Sequence, residues 1–224
     1  MSEATRTARK LNRRRLLRAG AALLGAYTMP GWADGETGDP AAKQIRAFYD
    51  SLVAVMKQAR ELGLRGRYER LATPIRATFD LPAMTRIAVG SDWNSIPSDQ
   101  QTALIDGFTR MTIATYASRF DGYSGERFEV DAVSDARATG RIVRTKLLQS
   151  NGEAITLNYL MRDSAGTWKV VDVYLTGTIS ELATRRSEFA SILKSGGSST
   201  LIESLRQKTE KLMREPREAE SVHR

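Results

Sequence analysis

Arg141-Ile142-Val143-Arg144-Thr145-Lys146-Leu147-Leu148, Ala154-Ile155-Thr156-Leu157-Asn158-Tyr159-Leu160-Met161-Arg162 and Trp168-Lys169-Val170-Val171-Asp172-Val173-Tyr174-Leu175-Thr176 follow one another with only five residues between each pair. In the middle run Ile155, Leu157, Tyr159 and Met161 occupy alternate positions, the period of a strand with one buried face. Asn151-Gly152 and Ser164-Ala165-Gly166 fill the gaps. These are hairpin-turn residues, so the three runs are expected to pair as antiparallel neighbours. Phe128-Glu129-Val130, just upstream, supplies a shorter fourth strand.

Outside this block the period is helical. Ile45, Phe48, Leu52, Val55, Ala59 and Leu62 recur at three- and four-residue steps, which predicts a helix over about 41–64, broken at Gly63 and Gly66. Shorter helical pieces fill 67–90, interrupted at Pro74 and Pro82. Ser98 and Gln101 have the spacing of a capping box. The helix they open, 99–120, is apolar on two sides: Leu104, Phe108 and Met111 on one, Ile113, Tyr116 and Phe120 on the other. A helix apolar on two sides belongs between layers. After the strands, Ile179, Leu182, Phe189 and Leu193 mark one helix and Leu201, Leu205 and Leu212 another, separated by Ser195-Gly196-Gly197-Ser198. Helices, a meander of about four strands, then helices make an α+β fold: a curved antiparallel sheet flanked by helices.

The ends read differently. Arg6, Arg9, Lys10, Arg13, Arg14, Arg15 and Arg18 precede the small apolar run 19–26, and Gly31-Trp32-Ala33 places small side chains before a cut ahead of Asp34. Residues 1–33 therefore read as a signal peptide cleaved near Ala33, which predicts export. Asn12-Arg13-Arg14-Arg15-Leu16-Leu17-Arg18 also resembles the twin-arginine pattern, leaving that route open beside the general one. Residues 34–40 are a polar linker and 214–224 a polar tail around one domain, 41–213. The formal net charge is +8, but the leader holds seven basic residues and one acidic, so the exported chain is near +2. The basic excess that would suggest nucleic acid leaves with the leader.

Chemistry is thinly supplied. Cysteine is absent and the single histidine is His223, which excludes thiolate nucleophiles and leaves no core histidine for a catalytic triad or a metal site. Ser191-Ile192-Leu193-Lys194 spells S-x-x-K without the S-D-N and K-T-G elements that chemistry needs. Among carboxylates, Asp172 stands between Val171 and Val173, two residues before Tyr174. This pair would serve as acid and base if the fold were a small cone-shaped enzyme. No cofactor motif is present. Broad apolar faces on the helices and the sheet allow the other reading, a greasy cavity between layers.

Seven segments in order resemble the MlaC family of periplasmic lipid-transport proteins, also described as the toluene-tolerance or ABC-transporter auxiliary family. They are Phe79-Asp80-Leu81-Pro82-Ala83-Met84, Ala88-Val89-Gly90-Ser91-Asp92-Trp93, Thr115-Tyr116-Ala117, Tyr123-Ser124-Gly125, Val143-Arg144-Thr145, Trp168-Lys169-Val170-Val171-Asp172-Val173 and Arg186-Ser187-Glu188-Phe189-Ala190-Ser191-Ile192-Leu193. The stretch 174–186 is more similar to the hopanoid-associated HpnM branch. The resemblance implies a non-enzymatic shuttle carrying phospholipid or hopanoid between an inner-membrane transporter and an outer-membrane acceptor. On one alternation of the strands, its cavity would be lined by Val143, Leu147, Leu157, Tyr159, Met161, Val171, Val173 and Leu175, with Met84, Ile87, Phe108, Met111, Tyr116 and Phe189 from the helices. Arg144 is the head-group candidate, with Lys146 as its alternative near the rim. A third possibility is an adaptor that docks a transporter and has a filled core.

Overall fold

The structure is a computed structural model, and it describes residues 38–214. The expected leader, most of the expected linker, and the tail beyond Arg214 with His223 lie outside those residues. Three helices come first: α1 (Pro40–Lys57), α2 (Ala59–Thr78) and α3 (Leu81–Val89). A 3-10 turn (Gly90–Ser95) leads to α4 (Ser98–Arg119). The sheet follows as β1 (Arg127–Val130), β2 (Asp135–Arg137), β3 (Gly140–Leu148), β4 (Ala154–Ser164), β5 (Thr167–Leu175) and β6 (Ile179–Ser180), and α5 (Glu181–Leu212) closes the chain. The expected α+β order holds. The sheet is antiparallel in the order β1-β3-β4-β5-β6, with β2 pairing the other half of β3.

The extra strands β2 and β6 are three and two residues long, too short to carry a period of their own. The long strands pair as their alternation demands: Val143 faces Tyr159, and Tyr159 faces Val173. At the β4–β5 hairpin Ala165 and Gly166 both take positive φ, the geometry that matches strand twist. Gly140 opens β3 at φ +147, where a Cβ would lie 2.1 Å from the Met161 carbonyl oxygen; only glycine fits there.

Three helical expectations change. The helix expected over 41–64 is cut earlier, at Gln58; the expected break at Gly63 is present inside α2, while Gly66 stays helical. A tertiary contact accompanies the cut: the buried Arg67 guanidinium donates to the carbonyls of Ala59 (3.0 Å) and Ala117 (2.9 Å), holding the corner against α4. Pro74 does not interrupt α2. The hydrogen bond it forgoes would have gone to Arg70, an exposed residue, and Ile75 and Leu71 beside it are fully buried, so packing outweighs the local cost. Ser98 does not cap α4; Pro97 holds the cap position without a side-chain bond, and Gln101 Nε2 donates to Trp93 and Ile96 carbonyls instead. The Gly196-Gly197 joint is where expected: Gly197 (φ 68, ψ −172) kinks α5 into two segments.

The linker assignment also changes at its end. Asp39, with a side chain only 4% exposed, caps α1 through the Ala41 amide (2.9 Å) and accepts from the Ser134 amide (2.7 Å) and hydroxyl (2.5 Å) and from Arg141 (3.2 Å). Burial acts to raise its pKa, but the bonds from Ser134 and the α1 amides outweigh it and hold the carboxyl below its ordinary value. A depressed folded pKa means that the stabilisation is complete above the unfolded value of 3.8 and is lost as pH falls through the folded one. Asp39→Ala is expected to cost about 2–3 kcal/mol in urea unfolding at neutral pH. Asp39→Asn should flatten the stability curve below about pH 4; an unchanged acid limb would mean that the carboxylate does not hold these three segments together.

Candidate functional site

On the inner face of the sheet, Leu157 pairs with Leu175 and Tyr159 with Val173, placing four apolar side chains side by side. Opposite them α4 offers Phe108, Met111, Thr112, Thr115, Tyr116 and Arg119, one stripe at helical spacing. Phe79 and Met84, Phe120, and then Glu181, Leu182 and Arg185 from the first turns of α5 complete the wall around a cavity of ≈ 140 Å³. Phe79, Met84, Phe108, Met111, Tyr159 and Leu182 are buried. Thr112, Thr115, Phe120, Glu181 and Arg185 are half-buried and Arg119 is exposed, so the charged groups stand at the mouth. Thr112 and Thr115 donate to the carbonyls of Phe108 and Met111, both at 2.8 Å, which leaves their hydroxyl protons committed to α4 itself.

Aromatic rings form the inner end. Phe79 lies 5.7 Å from Tyr116 and 6.4 Å from Tyr159, both edge-on. Behind them the Tyr49 hydroxyl is 2.7 Å from Thr145 Oγ1 and 3.0 Å from the Tyr159 hydroxyl, and Thr145 donates to the Leu157 carbonyl. Burial pushes Tyr49 up to about 12. Burial, with the neighbouring Tyr49 and Tyr116 phenols, pushes Tyr159 well above its ordinary value, and burial raises Tyr116 also. These phenols stay neutral across the physiological range and act as hydrogen-bonding groups only.

Of the residues expected at the cavity, Met84, Phe108, Met111, Tyr116, Leu157, Tyr159, Val173 and Leu175 border it. Val143 and Met161 share the sheet face but are wholly buried in the core. Phe189 stands behind the wall, edge-to-face with Phe108 at 6.3 Å. Ile87 packs against the core, and Leu147 lies half-buried opposite Ile155. Val171 is displaced by a bulge: Leu160 pairs with Asp172 and Met161 with Val170, leaving Val171 as the extra residue. Arg144 points away. It pairs with Asn158 on the opposite face and forms an ion pair with Asp135 at 2.5 Å, as strand alternation from the inward Val143 requires.

Asp172 and Tyr174 do not border the cavity. The Asp172 carboxylate is buried and accepts from the Val173 amide (2.8 Å), the Leu182 amide (3.1 Å) and the Ser180 hydroxyl (2.6 Å). Ser180 in turn caps α5 by accepting from Ala183 N (2.9 Å). The carboxylate is therefore a clamp that fastens the start of α5 to β5. Tyr174 pairs with Asn158 and Ser180 on the outer face, and burial and then the Asp172 charge raise its pKa. Neither group is presented to the cavity as an acid or base.

Phe79, Phe120, Leu182, Thr112, Thr115, Arg119, Glu181 and Arg185 were not expected. The helical step from Phe108 through Tyr116 would have reached Thr112, Thr115 and Arg119, but polar and charged side chains on a helix read as its solvent side.

The family model described as MlaC protein matches residues 46–207, which spans α1 to the second segment of α5. The chain belongs to the MlaC family. A solved structure similar to it is a phospholipid-binding protein from Ralstonia solanacearum, crystallised in complex with a phospholipid, at 26% identity and a TM-score of 0.69. The match covers 78% of this chain and 99% of that one. No curated protein matches the chain in sequence. In this MlaC-family chain the helix that closes the cavity depends on the Asp172 clamp. Asp172→Ala is expected to cost about 2–4 kcal/mol and to speed hydrogen exchange at the Leu182 and Ala183 amides. Native protection at both amides would show that Asp172 does not hold the start of α5.

Proposed function

We propose that this protein is a periplasmic lipid carrier that shields acyl or polycyclic tails between α4, the first segment of α5 and the sheet. The observation that carries the reading is the cavity: aromatic and aliphatic walls inside, charge only at its mouth. Membership in the MlaC family and the likeness to a protein crystallised with phospholipid support it, and so does the leader-like sequence of residues 1–33. The cargo is a phospholipid or a hopanoid, taken from an inner-membrane transporter and delivered to an outer-membrane acceptor, or the reverse. An adaptor without cargo would have no use for an apolar space in its core.

The volume sets a requirement. Ligand pockets usually run to about 300–1,000 Å³, and ≈ 140 Å³ is short of that. Tails enter only if a wall moves. The first segment of α5 is the natural wall, because it is fixed to β5 by Asp172 at one end and meets the Gly197 kink at the other. Each methylene taken from water contributes about 0.8 kcal/mol, so about thirty of them supply on the order of 24 kcal/mol before ordering costs. That is more than a carrier can keep if it is to release, and the work of opening the wall offsets part of it.

Delipidated protein mixed with vesicles of bacterial lipid should acquire lipid that co-purifies and can be identified by mass spectrometry. Leu157→Trp, which fills the space from the sheet side, should cut that uptake at least tenfold while far-ultraviolet dichroism is unchanged. Protein that takes up neither phospholipid nor hopanoid, at any vesicle composition, would sink the carrier reading.

A further inference from the structure

Three charged side chains border the cavity, Arg119, Glu181 and Arg185. Arg119 is the last residue of α4 and is exposed, and its side chain makes no hydrogen bond or ion pair with any described residue. It borders the cavity nonetheless, together with Tyr116 and Phe120 of the same helix end. Arg185 is held on its own helix, 3.3 Å from Glu188 and 4.0 Å from Glu181. Glu188 is shared with Lys208 across the Gly197 kink, so its charge is already answered. The lining of the mouth is thus net positive in a site that is otherwise apolar.

We propose that Arg119 and Arg185 form a subsite for the phosphate of a lipid head group, so that the carrier selects cargo by anionic charge as well as by its tails. The inference rests on the carrier reading and adds the chemical class of the head group. A guanidinium offers paired donors that match two phosphate oxygens, and two of them at one mouth can hold a phosphate from both sides. Two of the amides at the start of α5 are already taken. Leu182 N is bonded to Asp172 and Ala183 N to Ser180, so the side-chain forks are the charged donors the mouth offers. Glu181, the weaker and longer of the two partners of Arg185, is the group a phosphate would displace. Attraction in a partly enclosed apolar mouth is screened less than on open surface, so a modest net charge still discriminates.

The test compares two lipids that differ only in the phosphate. Delipidated protein is incubated with vesicles containing equal amounts of phosphatidic acid and of diacylglycerol with identical acyl chains, and the bound lipid is extracted and quantified. Wild type should enrich phosphatidic acid at least tenfold. Arg119→Ala, which has no intramolecular partner to lose, should reduce that enrichment at least threefold, and Arg119→Ala with Arg185→Ala should bring it near parity while total lipid stays within about twofold of wild type. Equal uptake of the two lipids by wild type, or full enrichment kept by the double variant, overturns the subsite and leaves the carrier standing. Uptake of neither lipid overturns both. Titration of inorganic phosphate onto lipid-free protein separates a free-phosphate site from a head-group site. Millimolar or weaker binding is expected, and saturable micromolar binding without any lipid would overturn the head-group assignment.

Discussion

The Tyr49 hydroxyl, 2.7 Å from Thr145 and 3.0 Å from Tyr159, decides how the helices can sit on the sheet. It buries a polar junction between α1, β3 and β4, and a junction of that kind is stable only when its members satisfy one another. Thr145 completes it by donating to the Leu157 carbonyl within the sheet. With α1 held there, Val143, Tyr159 and Met161 are sealed from solvent. Asp39 fixes the start of the same helix to the β2–β3 corner through Ser134 and Arg141. The end of the sheet carrying Leu157 and Leu175 is left to α4 and α5, which cover it without filling the space. A tightly fastened half and a loosely covered half follow from the same contacts.

The covering half is built to be held at few points. The first turn of α5 is fastened to β5 through one carboxylate, Asp172, and its two segments meet at a residue in left-handed backbone, Gly197. The ion pair from Glu188 to Lys208 crosses that kink. Both side chains are about one-third exposed, so the pair contributes little net stability and can re-form cheaply after it is broken. Between these points α5 meets its neighbours mainly through apolar contacts, such as Phe189 on Phe108, which slide without leaving unmet hydrogen bonds; beside the kink Ser198 also donates to Gln100 of α4. α4 differs: Arg67 fastens the Ala117 carbonyl to the α2 corner from its buried position. Of the two walls, α5 moves at lower cost.

Much of this fold was legible because it follows from period. The strands alternate, the two hairpins carry turn residues, and the double glycine marks the kink in α5. What escaped was set by contacts far apart in sequence. The α1–α2 corner depends on Arg67 reaching Ala59 and Ala117, and no local pattern at residues 57–64 encodes that. Helix α2 continues through Pro74 because packing on both sides outweighs one absent bond. The cavity was half legible. Alternation found Leu157, Tyr159, Val173 and Leu175, since pairing preserves the face, but it placed Val171 wrongly because one bulge shifts the phase of β5. It also could not tell that Val143 and Met161 are sealed in the core while Leu157 borders a space, because that difference lies in which helix covers each end of the sheet.

The mouth was the part least visible, and the reason bears on how such proteins are read. A charged residue at the end of an amphipathic helix usually faces water, and Arg119 does face water. What makes it part of the site is that Tyr116 and Phe120 beside it are turned to the cavity, stacked 5.7 Å apart. An arginine one turn beyond a cavity-lining aromatic stands with its stem along the apolar wall and its charge at the rim. The same holds for Arg185, three residues after the buried Leu182. An amphipathic cargo needs a boundary of this kind, where the wall changes from apolar to ionic over a single helical turn. Polarity graded along a helix axis, rather than around it, is therefore the sequence feature that marks such a rim, and it is lost when a helix is read only for its faces.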